Sequence, residues 1–171
     1  AVGAEAGVTR ALIANQVVCD ADLDGLAALL REYPALRVWF LVDSVAQIRM
    51  IEAWQKRRES SAVFDCLLEI GIPGKRTGCR ALDEAMTVSA TIYASPALRL
   101  GGTECYEGNL AQGDSEHDCR EVDALMRRVV EAAEGCDCCG FFENDEVLMT
   151  AGGSALFDLV TDGIKPALSK P

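Results

Sequence analysis

The sequence alternates short apolar runs with segments of helical periodicity along most of its length. The apolar runs occupy residues 11–15, 37–42, 63–70, 98–101 and 146–151. Most of them are continuous rather than alternating, which is typical of strands that are covered on both faces of a parallel sheet. Strand–helix units that repeat in this way connect through right-handed crossovers. The pattern therefore predicts an α/β fold built on five parallel strands.

The segments between these runs have the periodicity and the boundary residues of helices. Asp20 or Asp22 can cap a first helix that ends before Pro34, and Ser44 can cap a second one. Residues 81–94 indicate a third helix. The clearest apolar stripe predicts a fourth, and it consists of Val122, Leu125, Met126, Val129 and Ala133.

Composition restricts the class of protein. The 171 residues are half hydrophobic and contain no low-complexity tract, so we expect one domain over residues 1–171, with the polar stretch 108–117 as a surface loop. No apolar run approaches the roughly 20 residues that span a bilayer, and no secretion signal pattern is present. The net charge of −11 disfavours nucleic acid and anionic membranes as partners. A cytoplasmic protein with a small-molecule ligand is the expectation.

The eight cysteines do not have the pattern of a disulfide scaffold or a zinc site. Five are scattered singly, and we expect them to be small buried residues: Cys19, Cys66, Cys79, Cys105 and Cys119. The other three, Cys136, Cys138 and Cys139, are expected to be surface thiols at the end of a helix. A soft metal is their alternative role, but His117 is the single histidine and no second ligand pair exists. No metal ligands are therefore predicted in this chain.

Polar residues stand at the carboxyl end of every predicted strand. They are Asn15 and Gln16, then Asp43 and Ser44, then Glu69 with Lys75, Arg76 and Thr77, then Glu104 and Tyr106, and finally Gly152, Gly153 and Ser154. Parallel α/β proteins, both barrels and open sheets, build their sites at this edge. The sequence therefore predicts a single site to which all five strands contribute.

The turn Gly152-Gly153-Ser154 between the last strand and a helix-like segment is a candidate anion site. Glycines let backbone N–H groups approach a ligand, and the start of a helix favours an anion. The alternative is an ordinary strand-to-helix turn, but its place among five polar strand ends favours a phosphate. The turn is too short for a nucleotide-binding fingerprint and lacks the lysine of one, so an open sheet that binds a nucleotide ranks last.

Five motifs occur in a recognisable order: ALIANQ at 11–16, LVDS at 41–44, EIG with KRTG at 69–78, LGG with YEG at 100–108, and AGGS at 151–154. Together they resemble the D-serine dehydratase/D-threonine aldolase family, which has the alanine-racemase-type (fold III) pyridoxal-phosphate barrel. The resemblance covers nearly the whole chain. It implies a parallel (β/α) barrel of TIM type that is incomplete, with about five βα units corresponding to strands 3 to 7.

The resemblance also implies roles for site residues. Three would bind the phosphate of pyridoxal 5'-phosphate (PLP): Gly152, Gly153 and Ser154. Arg76 would lie beside the pyridine ring near its phenolic oxygen, the alternative being a loop arginine paired with Glu69. Tyr106 would lie against the ring face or near the substrate, or else simply fill a loop.

Two further strand ends have competing interpretations. Gln16, with Asn15, would approach the cofactor or satisfy backbone groups at the end of the strand. Asp43 is expected to cap the following helix rather than to contact a substrate.

The family forms a Schiff base between PLP and a lysine on the first barrel strand. The four lysines of this chain, Lys56, Lys75, Lys165 and Lys170, match no such position. Lys75 is near the predicted edge but belongs to the arginine loop. We therefore expect the first-strand lysine segment, and the C-terminal β domain with its metal pair, to lie outside this chain. The segment alone is then expected to be inactive and to have exposed strand edges.

The resemblance implies a PLP-dependent lyase that acts on D-amino acids, by dehydration and deamination as with D-serine or by aldol cleavage as with D-threonine. The intact enzyme would be a homodimer, and any divalent metal would be held outside this chain. The alternative is a non-catalytic module that binds PLP or another phosphate ligand.

Overall fold

Five parallel strands form one sheet in the computed structural model, which describes residues 1–110, 115–153 and 156–171, without the side chain of residue 115. The strands follow chain order across the sheet and are β1 Arg10–Gln16, β2 Arg37–Val42, β3 Phe64–Ile70, β4 Leu98–Cys105 and β5 Leu148–Ala151. All four pairings are parallel, as the apolar runs predicted. β4 extends beyond the predicted end at residue 101, so that Glu104 lies inside the strand. Asn15 and Gln16 likewise lie inside β1.

The described helices alternate with the strands. They are α1 Val2–Glu5, α2 Asp20–Glu32, α3 Val45–Arg57, α4 Leu82–Tyr93, α5 Ser115–Cys138 and α6 Phe157–Gly163. The predicted surface loop at 108–117 is only partly correct. A 3-10 turn occupies Gly108–Leu110, residues 111–114 lie outside the described part, and α5 begins at Ser115. No helix in the described ranges is long and apolar enough to cross a membrane.

Ser44 caps α3 as predicted, because its side chain accepts a hydrogen bond of 3.3 Å from the Gln47 amide. The prediction for α2 is wrong. Asp20 is its first helical residue, and the capping position belongs to Cys19, which makes no side-chain cap bond. Asp20 and Asp22 lie in the first turn, where negative charge still favours the helix through its dipole.

The main core lies between the sheet and its helices. The side chains of Phe40 and Phe64 point toward the helical layer, and Trp54 of α3 packs on Phe64 with ring centroids 5.5 Å apart. The stripe predicted for the long helix is buried in the same core, with Val122 and Val129 fully covered. Alternate strand residues therefore hold the helices, and the residues between them face the other side of the sheet.

The sheet curls so that its two edges approach each other. Arg10 at the start of β1 forms an ion pair of 2.7 Å with Glu146 just before β5, although these strands are at opposite ends of the strand order. A flat sheet with a strand spacing of about 4.8 Å would separate them by roughly 19 Å. On the concave face Leu148 of β5 packs on a small inner cluster formed by Trp39, Leu41 and Leu67.

Within the described ranges β1 pairs only with β2, and β5 only with β4. Leu12 and Ile13 of β1 remain 36% and 39% exposed at this edge. Five strands curl into a half-barrel but do not close it. The predicted incomplete α/β barrel of TIM type is confirmed.

The cysteine predictions are partly confirmed. Cys66, Cys79 and Cys105 are buried, as expected. Cys19 is exposed at the start of α2, which contradicts the expectation for it. In the cysteine cluster at the end of α5, Cys138 and Cys139 are exposed, but Cys136 is buried and its thiol donates to the Ser89 hydroxyl at 3.2 Å.

Candidate functional site

The strand register brings polar residues together at the carboxyl edge of the concave face. Glu69 of β3 pairs with Glu104 of β4, and Glu104 pairs with Thr150 of β5. Glu69 lies two residues beyond Leu67 of the inner cluster and so shares its face. At the edge predicted from the sequence, side chains from three neighbouring strands therefore lie next to one another.

Glu69 is the best-satisfied carboxylate of this edge. It is 3% exposed, the Gln16 side-chain amide donates to one of its oxygens, and the Thr77 hydroxyl donates to the other at 2.8 Å. Both oxygens of this buried carboxylate therefore have a hydrogen-bond donor. Gln16 therefore reaches the centre of the edge instead of only satisfying backbone groups of its own strand.

Arg76 and Tyr106, predicted from different strand ends, are in contact. The Arg76 guanidinium carbon is 5.3 Å from the centroid of the Tyr106 ring, within the range of a cation–π interaction. The guanidinium also donates to the Asn15 side-chain oxygen at 3.2 Å. The alternative pairing of Arg76 with Glu69 is not observed, because Gln16 and Thr77 occupy that carboxylate.

The loop between β3 and α4 holds Arg76 in place. Gly78 has a φ of +98°, and a side chain there would collide with the Gly71 backbone. Arg128 of α5 donates to the Gly71 carbonyl at 3.0 Å. Asp43, which was predicted to cap α3, stabilises this loop instead. Its carboxylate accepts a 2.9 Å hydrogen bond from the Gly78 amide. That expectation for Asp43 is wrong because Ser44 already caps α3.

The glycine turn after β5 adjoins the same residues. A Cβ placed on Gly152 would lie 3.8 Å from the Tyr106 ring, and one placed on Gly153 would overlap a carboxylate oxygen of Glu107. The Gly152 amide donates to the Cys105 carbonyl at 3.2 Å. The Gly152 amide is therefore already used by the sheet. The amides that could donate to a phosphate are those of Gly153 and the residues after it. Ser154 lies outside the described residues.

Two further glutamates give the site an unusual concentration of negative charge. Glu104 is 5% exposed and Glu107 is fully buried. Within the described part of the chain, one oxygen of Glu104 and both oxygens of Glu107 have no hydrogen-bond partner. The sequence reasoning assigned no role to Glu107, although a carboxylate two residues after a buried strand is the signal that could have found it.

Burial, together with the negative charges of Glu69 and Glu107, raises the pKa of Glu104 from 4.5 to about 7, while the positive charge of Arg76 opposes the shift. A carboxyl group of this kind exchanges its proton near neutral pH, where general acids and bases operate.

This pKa predicts a pH-dependent stability. A carboxyl that binds its proton more tightly in the folded state contributes stability below pH 4.5, and this contribution is lost as the pH rises to about 7. Chemical denaturation at about pH 5 and at about pH 8 measures the free energy of unfolding at each pH. Between these pH values it should fall by on the order of 2 kcal/mol more for the unmodified protein than for Glu104→Gln. An equal change in both proteins would contradict the assignment.

The lysines lie where the sequence placed them. Lys75 lines a small cavity at the carboxyl edge together with Glu69, Arg76, Thr77, Tyr106 and Asn109. Lys56 is in the last turn of α3, and the Lys170 amine donates to the Phe142 and Asn144 carbonyls in the loop before β5. Across residues 1–110, 115–153 and 156–171, no three cysteine, histidine or acidic residues are arranged to hold a metal ion.

Solved structures share this architecture. D-threonine aldolase from Filomicrobium marinum superposes with a TM-score of 0.73 at 25% identity, over 95% of this chain and 42% of that one. D-threo-3-hydroxyaspartate dehydratase from Delftia sp. HT23 superposes with a TM-score of 0.63 at 24% identity, over 95% of this chain and 47% of that one. PipY of Synechococcus elongatus, with PLP bound, superposes with a TM-score of 0.54 at 13% identity, over 91% of this chain and 87% of that one.

The chain thus spans less than half the length of the aldolase and the dehydratase. Neither a family model nor a curated protein matches the sequence. The similarity extends over nearly the whole of this chain. The resemblance expected from the sequence is confirmed, and the chain fits a fold III pyridoxal-phosphate family of the D-threonine aldolase and alanine-racemase-like type.

Proposed function

We propose that this chain forms the cofactor-binding middle of a PLP-dependent lyase that acts on D-amino acids. The observation that carries the proposal is the contact of Arg76 with Tyr106 beside the Gly152–Gly153 turn. The similarity to a D-threonine aldolase and to a D-threo-3-hydroxyaspartate dehydratase supports the choice of reaction class. Dehydration of a D-serine-like substrate and aldol cleavage of a D-threonine-like one are both within this proposal.

The residues fit a phosphorylated aromatic ring. Gly153 has no side chain, so its backbone is open to close approach by a ligand, and a Cβ there would overlap the Glu107 carboxylate. Arg76 supplies a positive charge and Tyr106 an aromatic face at the same edge. The charge of Arg76 is needed, because the adjoining carboxylates of Glu69 and Glu107 oppose an anionic ligand.

Bound PLP would supply an electron sink for the carbanion that develops on the substrate. In the proposed arrangement Arg76 orients the ring through its phenolic oxygen, and Tyr106 packs beside the ring. Gln16 holds Glu69 in place, which keeps that carboxylate away from Arg76. The Gly153 turn binds the phosphate.

The direct test is titration of the protein with PLP, followed by borohydride reduction and mass spectrometry. The proposal expects one PLP per chain in the equilibrium titration. A lyase also needs a lysine that bonds to the cofactor, so reduction should fix PLP on a lysine of the active enzyme. Failure to bind PLP at micromolar concentrations would overturn the proposal.

The second candidate is a module that binds PLP without catalysis. The similarity to PipY with PLP bound favours it, because the matched region covers 87% of that protein. Stoichiometric binding of PLP without a reducible lysine adduct, and without product from D-threonine or D-serine, would select the module over the lyase.

A further inference from the structure

Two arginines, Arg80 and Arg128, cross the loop that carries Arg76, and we call them the arginine clamp. The Arg80 guanidinium donates to the carbonyls of Arg76 and Thr77, which lie inside the loop. The Arg128 guanidinium donates to the Arg80 carbonyl at 3.1 Å and to the Gly71 carbonyl at 3.0 Å, one at each end of the loop. These hydrogen bonds connect α5 to both ends of the loop and, through Arg80, to the backbone of Arg76.

The arginine clamp uses the shape of its guanidinium groups. Among the residues that the structure describes, neither Arg80 nor Arg128 forms an ion pair with a carboxylate. Each instead uses its two terminal nitrogens on carbonyls of two different residues. A guanidinium presents its N–H donors in a rigid planar fork, whereas a lysine ammonium is a point charge on a flexible stem. Lysine is therefore expected to be a poor substitute at either position.

The backbone around Arg80 leaves room for its guanidinium. Gly71 is buried, and a Cβ there would overlap both Nη1 of Arg80 and the Thr77 carbonyl oxygen. The Arg80 amide donates to the Glu84 carboxylate at 2.5 Å, which ties Arg80 to the first turn of α4. Arg80 is thus held through its amide by α4 and through its carbonyl by Arg128, while its side chain holds the loop.

We infer that Arg80 is a positioning residue that sets where the Arg76 guanidinium lies relative to Tyr106, and that Arg128 holds Arg80 in place. Arg76 is exposed, and its guanidinium is 3.2 Å from the Asn15 side-chain oxygen and 5.3 Å from the centroid of the Tyr106 ring. A long exposed side chain loses considerable rotamer entropy when it is fixed, so two contacts hold it only where its backbone is fixed first. The arginine clamp supplies that fixed backbone, as surrounding hydrogen bonds do for residues of preorganised sites.

This inference deepens the proposed function and rests on it only for the effect on the cofactor. In the proposed function Arg76 lies near the phenolic oxygen of PLP. Displacement of Arg76 should therefore weaken binding of PLP but not of 3-deoxypyridoxal phosphate, which lacks that oxygen. The contact of Arg76 with Tyr106 needs no ligand, so it tests the inference whether or not PLP binds. Failure of the cofactor proposal and failure of this inference are thus distinguishable.

The test is the ¹⁹F NMR spectrum of the protein labelled with 3-fluorotyrosine and recorded without ligand. The chain has three tyrosines, and Tyr106→Phe assigns the Tyr106 resonance by removing it. Arg76→Met gives the position of that resonance without the guanidinium. Arg80→Met should move it most of the way to this position, because Arg76 then leaves the ring. Arg80→Lys should move it nearly as far, since an ammonium does not bridge the two carbonyls.

A double variant shows whether Arg80 acts through Arg76. Arg80→Met alone should weaken PLP binding about tenfold, the loss expected for one charge-assisted hydrogen bond, and should leave the affinity for 3-deoxypyridoxal phosphate unchanged. When Arg76→Met is already present, adding Arg80→Met should change neither the Tyr106 resonance nor the affinity for PLP. A further tenfold loss, or a further movement of the resonance, would show that Arg80 acts by another route and would overturn the inference.

Arg127→Met is the matched control on α5, because Arg127 neighbours Arg128, is exposed and carries the same charge. Arg128→Met should move the Tyr106 resonance in the same direction as Arg80→Met, whereas Arg127→Met should leave it in place. Thermal unfolding checks that each variant is folded. Arg80→Lys keeps the charge and the aliphatic stem, so it decides the question if Arg80→Met does not fold. A Tyr106 resonance that stays in place in both Arg80→Lys and Arg128→Met contradicts the inference.

Discussion

Replacing Gly102 by alanine is expected to lower the free energy of unfolding by about 3 kcal/mol or more, the largest stability effect that the structure predicts. Gly102 pairs with Leu148 where β4 meets β5, and a Cβ there would overlap the Leu148 carbonyl oxygen. The φ of +151° at Gly102 adds backbone strain for any side chain. Urea denaturation followed by circular dichroism measures the loss.

Gly74→Ala is the matched control. Gly74 also has a positive φ, +75°, but a Cβ there would meet no atom within 4 Å. Only the conformational cost remains, so the variant should lose about 1 kcal/mol. Equal losses in the two variants would show that backbone conformation alone explains the effect, and that the close approach of β4 to β5 is wrong.

The second large effect concerns the ligand. Gly153→Ala is expected to weaken PLP binding about 30-fold, because the new methyl group must displace the buried Glu107 carboxylate or the turn itself. The affinity for pyridoxal, which lacks the phosphate, should change much less. Equilibrium titration of the variant with both compounds measures the two affinities.

Two further variants separate this effect from a general loss of structure. Gly152→Ala places its methyl group at ordinary contact distance from Tyr106, so it should weaken PLP binding far less. Glu107→Ala removes the overlap, so adding Gly153→Ala to it should weaken PLP binding little relative to Glu107→Ala alone. If adding Gly153→Ala weakens PLP binding as much with Glu107→Ala as without it, the overlap with Glu107 is not the cause.

Much of the fold was predictable because local signals agreed. Continuous apolar runs fixed the number and direction of the strands, and Ser44 marked the start of α3 correctly. The extension of β4 to Cys105 was not predictable, because Gly101 and Gly102 resemble a turn in sequence. They serve instead to let the strand approach Trp39 and β5 closely.

The site was predictable in its location and less so in its contacts. Parallel strands deliver their ends to one edge, so Gln16, Arg76 and Tyr106 had to lie near each other. The partner of each depended on tertiary geometry. Asp43 binds the Gly78 amide because a neighbouring serine already caps the helix, and Glu107 is buried because the glycine turn lies against it. Neither contact has a local sequence signal.

The most direct test of the central claim compares the dissociation constants of PLP and pyridoxal for the unmodified protein. A phosphate held by backbone amides of the glycine turn should make PLP bind about 100-fold more tightly than pyridoxal, the value of two charge-assisted hydrogen bonds. Equal dissociation constants, or no binding of either compound, would contradict a phosphate site at the Gly152–Gly153 turn and with it the proposed cofactor.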